Sequence, residues 1–485
     1  MNKSCMNQYC LVIDQGGHGT RALVFNSQGD VILSTHAPVI TTNPQMGWHE
    51  QSSQNLVDSL NECLQKLSIA LHRTAIRIES AALITQRSSL LACYRDSLKP
   101  ITPVISWQDT RNNNWLQQGI REGHFNLNAL KKLTGLRLNA HYGASKMRWL
   151  LDHHPDVQKA AKQNNLLFLP LASFVTHLLT HAQPAVVDAA SASRTFLCEF
   201  GQTQWSESLL QLFSIQKNWL PAITISKHDF GNIAVNDQSI PLQVVGGDQS
   251  FLPFAYGTET FAHSLFINAG TGAFVQTPLS LAETPFPLLC SLAAKDDNQQ
   301  LTVAEGTVNA CASALDWLFA TEQQSLDYPA INDALLHITS PPMFYHRITA
   351  LGSPYWLPED TSSFSEPASL PEKTVAVIES IIFLLAINID LLQQAKPLLT
   401  QIMISGGLSK SDGFCQKLAN CARLTVMRCA DHEASSRGAA FYLTNITHYP
   451  ALASAVRFLP IDDRSLLARY QYFYEWLRNE WMKNQ

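Results

Sequence analysis

The first constraint on the fold is a glycine-rich turn between two apolar segments, residues 11–25, LVIDQGGHGTRALVF. The apolar residues before and after the turn predict two buried strands joined as a hairpin. A Walker loop or a dinucleotide-binding loop would lead into a helix instead. Glycine N–H groups suit phosphate, but the carboxylate of Asp14 would repel phosphate unless a cation or a water lies between them. The segment therefore indicates either a metal–nucleotide site or a tight turn with a surface aspartate.

A second segment of the same kind lies roughly half a chain away. Residues 263–277, HSLFINAGTGAFVQT, again place a glycine turn between two apolar strands. Two such units favour two related domains that hold a nucleotide between them. The repetition therefore makes the nucleotide site the better interpretation of both turns.

Composition narrows the class of protein. The 485 residues are 46% hydrophobic and 15% charged, which is typical of a globular chain of one to three domains. A net charge of −5 without a Lys/Arg run argues against nucleic-acid binding. The ten cysteines form no CxxC pair, so we expect free thiols in a reducing compartment. The N-terminus lacks a signal peptide, and the most apolar segment, residues 374–392, contains Glu379, Asn388 and Asp390. We therefore expect a cytoplasmic protein with no membrane partner.

The order of elements is that of an α/β protein. Polar residues 85–88, TQRS, follow a short buried strand at 81–84, and such strand ends commonly face a ligand crevice. A strand, a Gly-Gly-Asp turn and the start of a helix are predicted at 244–257, where we place the hinge. Other predicted elements are a strand at 166–169, a terminal helix after 449, and helices at 53–68, 141–152, 170–180, 374–394, 412–423 and 435–443.

Several motifs in a fixed order resemble one family. They are DQGGHGTRA, GWHEQ, QRSS, ISWQDTR, SKMRWLL, GGDQ, AGTGAF, EGTV, GSPYW, ISGGLSKSDGF and the E-x-x-x-x-G-A-A run that begins at residue 433. The chain resembles the FGGY family of carbohydrate kinases and, within it, the glycerol kinases. The resemblance implies the α/β, two-domain fold shared by actin, hexokinase and the heat-shock ATPases. In that fold each domain is a mixed sheet flanked by helices, and the active site lies in the interdomain cleft. We expect an N-terminal domain at 1–250, a C-terminal nucleotide-binding domain at 251–448 and a helical tail at 449–485.

The catalytic base is predicted to be Asp248, in the sequence VVGGDQS. Phosphoryl transfer needs a carboxylate that accepts the proton of the attacking hydroxyl, and a Gly-Gly turn at a strand end exposes this one to a cleft. The alternative is that Asp248 caps a following helix. By resemblance, Gln249 binds substrate beside it, and Asp14 holds Mg²⁺ through water.

The resemblance also implies a set of nucleotide-binding residues. They are Gly17, His18, Gly19, Thr20 and Arg21 in the first loop, Gly270 and Thr271 in the second, and Asp316, Gly406, Gly407 and Ser411 on the adenosine side. The first loop departs from the family, because hydroxyl residues are common where Gly17, His18 and Gly19 stand. Phosphate would then depend on backbone N–H groups and Thr20. Arg21 is equally well interpreted as a structural ion pair, and Ser411 and Asp316 replace an Asn and a Gln.

The acceptor pocket is the third part of the resemblance. Arg87 and Trp107 match residues that bind and pack against glycerol, and Phe274 matches a hydrophobic wall. Ser88, however, stands where glycerol kinases have Glu, and His141 where they have Tyr. We therefore expect a polyol or ketose larger than glycerol. The alternative is that these two residues rearrange and glycerol remains the substrate.

The resulting expectation is an ATP- and Mg²⁺-dependent kinase that phosphorylates a terminal hydroxyl of glycerol or of a related polyol or ketose. The alternative, from another class, is a nucleotide-binding regulatory protein of the same fold that has lost catalysis, which the altered first loop favours. Homodimers and homotetramers occur in the family that the chain resembles, and the sequence does not fix the oligomeric state.

Overall fold

Two mixed β-sheets organise the chain, which a computed structural model describes over residues 8–279, 288–325, 328–430 and 433–484. The first sheet has six strands in the spatial order Asn232–Val235, Gln238–Gly247, Ile78–Thr85, Tyr9–Gln15, Gly19–Phe25 and Val31–Pro38. The second has seven, in the order Leu289–Lys295, Gln300–Val308, Ala273–Pro278, Ser264–Ala269, Gln401–Ser405, Thr425–Arg428 and Val456–Phe458.

Smaller sheets complete the strand content. A five-stranded sheet orders Thr41–Thr42, Glu50–Gln51, Val104–Ile105, Leu90–Tyr94 and Leu166–Pro170. Two-stranded sheets pair Val186–Asp188 with Ala222–Thr224 and Phe344–Tyr345 with Ser363–Phe364.

Helices cover the sheets. The α-helices are Ser53–Leu71, Asn113–Arg121, Leu127–Thr134, Gly143–His153, Pro155–Lys162, Leu171–Thr180, Ala189–Ser193, Glu207–Leu212, Ala312–Thr321, Tyr328–His337, Leu370–Ala395, Asp412–Ala422, Ala434–Thr444 and Arg464–Lys483. Short 3₁₀ turns are Lys217–Trp219, Leu252–Tyr256, Thr258–Thr260, Gly407–Lys410 and Pro450–Ser454.

Both predicted glycine hairpins are present, one in each sheet. Tyr9–Gln15 pairs antiparallel with Gly19–Phe25, and Ser264–Ala269 pairs antiparallel with Ala273–Pro278. The apolar residues on both sides of each turn are almost fully buried, as the pattern predicts for central strands. Each glycine turn therefore lies at one end of two central strands of its sheet.

The long helix Leu370–Ala395 forms the middle of the second core. By length and composition it could cross a membrane, but 89% of its most apolar window is buried inside the protein. Ser369 and Glu372 cap its first turn reciprocally, which satisfies backbone groups that the helix itself leaves unpaired. The interpretation of this segment as a buried core helix is confirmed.

The helix Ala434–Thr444 links the two halves of the molecule. It follows Thr425–Arg428, a strand of the second sheet, but packs against the first sheet, where its Ala439 and Ala440 join a core with Val12 and Ile84. Lys227 lies in the chain between the strands Ala222–Thr224 and Asn232–Val235, and it donates hydrogen bonds to the carbonyls of Tyr442 and Leu443 at the end of this helix. The helix therefore stabilises the contact between the two sheets.

Two local predictions differ from the structure. The segment after residue 248 forms only the 3₁₀ turn Leu252–Tyr256, and Pro253 within it suits such a tight turn better than a long helix. The tail begins with a 3₁₀ turn and an edge strand, so its helix is limited to Arg464–Lys483. The nine cysteines in the described ranges are buried and free, which agrees with the predicted absence of disulfides there.

Candidate active site

The carboxyl ends of three strands lie side by side at one end of the first sheet. Tyr9–Gln15, Ile78–Thr85 and Gln238–Gly247 are parallel neighbours, and both Asp14 and Gly246 lie opposite Ile84 in the register. Because the strands point the same way, the residues at their carboxyl ends meet. This register places Asp14, Arg87 and Asp248 around one cleft.

Asp248 lies at that end of the first sheet. Its N–H donates to the carbonyl of Thr85 at 2.8 Å, and its carboxylate accepts the N–H of Gln249 at 2.8 Å. Burial raises the pKa of Asp248, the charge of Arg87 opposes this rise and the charge of Asp14 adds to it, and the resulting pKa is about 6. The alternative role as a helix cap is excluded, because the short turn that follows begins after Phe251.

Asp14 is held by an ion pair. Arg21 binds its carboxylate, and the same guanidinium donates to both carboxylate oxygens of Glu433 at 2.8 and 2.7 Å. Ser436 also lies 3.5 Å from the Asp14 carboxylate. The structural ion pair that the sequence offered as an alternative role for Arg21 is present. It connects the first hairpin to the start of the helix Ala434–Thr444.

The first glycine loop is closed on itself. Gly16 N–H donates to Gly19 O at 3.0 Å, and Gln51 and Thr41 donate to Gly17 O. Neither the N–H of Gly17 nor that of His18 has an acceptor among the residues described, and the His18 side chain is exposed. The loop therefore presents bare N–H groups of the kind that bind phosphate.

The prediction that the Thr20 hydroxyl holds phosphate is wrong. Thr20 is fully buried; its hydroxyl donates to Gln15 Oε1 at 2.8 Å and lies 2.8 Å from Ser59 Oγ. Residues along a strand alternate between its two faces, so the Thr20 side chain points into the packing between the sheet and the helix Ser53–Leu71. Thr20 stabilises the loop from behind.

The second loop is built in the same way. Gly270 N–H donates to Gly272 O at 3.0 Å, which matches the closure of the first loop. The carbonyls of Gly270 and Thr271 accept N–H groups from the first turn of Ala312–Thr321, so they face away from the cleft. The Thr271 side chain is exposed. Each of the two loops thus closes with a hydrogen bond from its first glycine.

Two of the predicted adenosine-side residues, Gly406 and Gly407, directly follow a strand of the second sheet. Gly406 follows Gln401–Ser405, the parallel neighbour of Ser264–Ala269, so it lies beside Gly270. Gly406 has a φ of +92°, and a Cβ there would come within 2.5 Å of Ala269 O, so only glycine fits. Ser411 is buried, caps Asp412–Ala422 and binds Asn332, whereas Asp316 is exposed on its helix.

The acceptor side is dominated by a buried ion pair between the two sheets. Arg87 lies 2.8 Å from Glu305, which extends from the strand Gln300–Val308, and the guanidinium lies 5.5 Å from the ring centre of Phe274. Burial would raise the pKa of Glu305, but the charges of Arg87 and Arg194 outweigh it and lower that pKa. Glu305 is therefore ionised and fixes Arg87 across the cleft. Gln249 also bridges the sheets, since it accepts from Asn268 at 3.3 Å.

Ser88 and His141, the two residues that depart from the glycerol kinase pattern, each accept a hydrogen bond from the same lysine through the backbone carbonyl. Lys146 is fully buried and donates to the carbonyls of Ser88 at 2.9 Å and His141 at 2.7 Å. Burial lowers the pKa of Lys146 to about 7. The His141 ring lies edge-on to Trp107, with 5.7 Å between ring centres. Burial, and next the charge of Arg194, hold the pKa of His141 well below its usual range, so the ring is neutral.

No sequence pattern assigns a role to Lys146, Arg194 or Glu305. Glu305 and Arg194 are each a single charge among small or apolar residues, in VAEGTV and AASASRTF. Charged residues are almost never fully buried unless they are paired, so a lone charge in such a context is a usable signal for a buried pair. Their partners, however, are far away in the chain.

Comparisons with known proteins agree with this geometry. Residues 9–252 match the N-terminal domain, and residues 265–444 the C-terminal domain, of the FGGY family of carbohydrate kinases. The glycerol kinase of Streptococcus agalactiae serotype Ia is 26% identical over 456 residues, which are 90% of this chain and 89% of that protein.

Solved structures share the fold. Plasmodium falciparum glycerol kinase with ADP superposes with a TM-score of 0.84 at 21% identity, covering 98% of this chain and 97% of that one. Gluconate kinase from Lactobacillus acidophilus gives 0.80 at 19% identity, with 98% and 97% coverage. The predicted two-domain α/β fold is confirmed, and kinases of this family use ATP. Because the matched residues span most of its length, the chain belongs to the FGGY family of carbohydrate kinases, which are phosphotransferases.

Proposed function

We propose that this kinase transfers the γ-phosphoryl group of ATP to a terminal hydroxyl of glycerol or of a related polyol or ketose. The observation that carries the proposal is the position of Asp248. Its carboxylate lies at the carboxyl edge of the first sheet, beside Arg87, and burial keeps its proton affinity high. The division into domains at 1–250, 251–448 and 449–485 is part of the same proposal.

Each side of the cleft has its own part in the reaction. Asp248 accepts the proton of the acceptor hydroxyl as that oxygen attacks phosphorus. The N–H groups of Gly17, His18 and Thr271 stabilise charge on the phosphate oxygens. Arg87 and Trp107 orient the acceptor, with Gln249 and Phe274 beside them, and Gly406 and Gly407 leave room for the adenosine.

The carboxylates fit a magnesium ion. Asp14 is buried at a strand end, and Asp248 is near enough for its pKa to respond to the charge of Asp14. The described residues contain no group of three or more His, Cys, Asp or Glu side chains that could hold a metal by themselves. Mg²⁺ suits such a site, because it keeps waters and binds one or two carboxylates together with substrate phosphates. When bound, it neutralises charge on the transferring phosphoryl group, and Asp14 would hold it through water.

The pH dependence of the reaction follows from Asp248. A general base must be ionised, and the raised pKa of Asp248 is about 6. We expect kcat/KM to be constant above this pH and to fall about tenfold for each unit below it, as one proton blocks the base. Initial rates from pH 5 to 8, with intrinsic fluorescence as a control for folding, measure this. A flat profile down to pH 5 would assign the proton to another group.

The proposal is tested with MgATP and a panel of acceptors: glycerol, pentitols, ketopentoses and ketohexoses. We expect ADP release well above the ATP-only rate for at least one of them, and a longer acceptor to exceed glycerol. The cavity behind Ser88 measures only about 10 Å³, room for about one water, so added length would extend into the cleft. If glycerol is the best substrate, the result supports the alternative in which Ser88 and His141 rearrange and glycerol remains the acceptor. If no acceptor, polyhydroxy acids of the same lengths included, raised ADP release above the ATP-only rate, the proposal would be contradicted.

The regulatory alternative has its own support. The first loop carries glycines and His18 where hydroxyl donors are common, and Arg21 already neutralises Asp14. A protein of this kind would bind ATP without acceptor-dependent turnover. ATP binding measured by calorimetry, together with the flat panel, would favour this alternative.

A further inference from the structure

A second arginine beside the acceptor site has no partner that satisfies it. Arg194 is only 4% exposed, and its Nη1 lies 3.5 Å from Glu305 Oε1, too poorly aligned for a hydrogen bond. Its Nε and Nη1 make no hydrogen bond within the described part of the chain. A buried N–H without a partner costs free energy. A ligand group that accepts these hydrogen bonds would remove that cost.

His141 leaves a second unpaired atom in the same place. Its Nε2 is buried and has no hydrogen-bond partner among the described residues. The ring is near Arg194, whose charge helps to keep it neutral. Ser88 lies between the two segments, with its hydroxyl 3.4 Å from the Arg194 carbonyl. The unpaired donors of Arg194 therefore share the acceptor side of the cleft with an unpaired imidazole nitrogen.

The charges of the pocket fall out of balance during the reaction. Arg87 and Arg194 are buried cations, and Glu305 and Asp248 are carboxylates that interact with them. During transfer Asp248 gains a proton, which leaves Glu305 as the single anion of this group. An acceptor with one negative charge would restore the balance, whereas a neutral one would not.

We propose that the acceptor is a polyhydroxy acid of the aldonic type, whose carboxylate pairs with Arg194 while a neighbouring hydroxyl binds His141 Nε2. Arg194 is then the residue that determines specificity. Guanidinium groups form strong charge-assisted hydrogen bonds with carboxylates, which fits this pairing. The inference rests on the proposed function and narrows its substrate class.

The chemistry stays balanced with such an acceptor. The bond between the γ-phosphorus and the bridging oxygen breaks, and ADP leaves with the electron pair. The terminal hydroxyl oxygen forms the new bond to phosphorus, and its proton goes to Asp248. The acceptor carboxylate takes no part in bond making.

The test compares acceptors of equal length: gluconate with glucitol and fructose, xylonate with xylitol and xylulose, and glycerate with glycerol. We expect at least one aldonate to exceed its alditol and ketose in kcat/KM by about 10-fold or more, because only the aldonate forms a charge-assisted hydrogen bond with Arg194. Arg194→Gln should lower the aldonate value by about 10- to 100-fold and leave the alditol value within about threefold, and Arg194→Lys should restore part of the loss.

A second pair of variants decides the matter if Arg194 variants fold poorly. Ser88→Glu would place a carboxylate beside Arg194 and should reverse the preference toward the neutral acceptor, whereas Ser88→Gln, of equal size, should not. A neutral alditol or ketose preferred by the wild type, or equal effects of the two Ser88 variants, would overturn the inference and leave the proposed kinase intact. No turnover of any acceptor would overturn both.

Discussion

Replacing Asp248 with Asn should lower kcat for acceptor phosphorylation by about 10²- to 10⁴-fold, the usual contribution of a general base. The amide keeps the size of the side chain and its hydrogen bond with Gln249 but cannot take the proton of the acceptor. Nucleotide affinity should remain, because the two glycine loops are unchanged. Single-turnover rates and ATP affinity from calorimetry separate the two effects.

The matched control is Asp58→Asn. Asp58 is exposed on the helix Ser53–Leu71, where it accepts a hydrogen bond from Gln54. The change removes one carboxylate from the surface, so kcat and the melting temperature should stay close to those of the wild type. A comparable loss of kcat in both variants, or normal turnover by Asp248→Asn, would remove Asp248 from the mechanism.

Replacing Glu305 with Gln should have the second largest effect, on both stability and acceptor binding. Glu305 is fully buried and is the carboxylate shared by Arg87 and Arg194. Removing one partner of a buried pair leaves uncompensated charge, so we expect the free energy of unfolding to fall by about 3–5 kcal/mol. Arg87 loses its anchor, and we expect kcat/KM for the acceptor to fall by about 10- to 100-fold.

Glu379→Gln provides the comparison. Glu379 is also buried and also holds two cations, Lys417 at 2.9 Å and Arg469 at 2.7 Å, but it lies among helices of the second core. Denaturant unfolding should show a similar loss of stability, while kcat/KM should be unchanged in the folded fraction. If both variants lost activity equally, the effect at Glu305 would be one of general stability and not of the position of Arg87.

Glu305 also has an expected signature in the pH dependence of stability. Its pKa in the folded protein lies below the usual 4.5. The ionised pair therefore stabilises the fold above that pH, and the contribution is lost as the pH falls through the folded value. As the pH is lowered from 6 to 3, the free energy of unfolding should fall less for Glu305→Gln than for the wild type.

The strands and turns of the cleft were predictable because their signals are local. Apolar triplets before each glycine turn indicate central strands, and the hairpins follow from the turns between them. The meeting of Asp14 and Asp248 depends instead on strand order, since Ile78–Thr85 separates their strands. Resemblance to a family supplied that order; periodicity alone did not.

The remaining features depend on contacts between distant parts of the chain. Thr20 resembles a phosphate ligand in the sequence, but the strand places its hydroxyl against Ser59, which no local pattern shows. The Arg194–Glu305 contact joins segments of the two halves, and its incomplete geometry becomes visible only in the fold. Sequence patterns therefore find the loops and the proposed catalytic carboxylate, whereas the charge balance of the pocket needs the structure.

The most direct test follows the γ-phosphoryl group itself. ATP labelled at that group is incubated with Mg²⁺, an acceptor from the panels above and either the wild type or Asp248→Asn, and the label is traced by chromatography. The account predicts that the wild type moves the label to the acceptor in amounts equal to the ADP formed, and that the variant does not. Label that appears only in inorganic phosphate, or remains in ATP with every acceptor, would contradict the assignment of this cleft as a kinase active site.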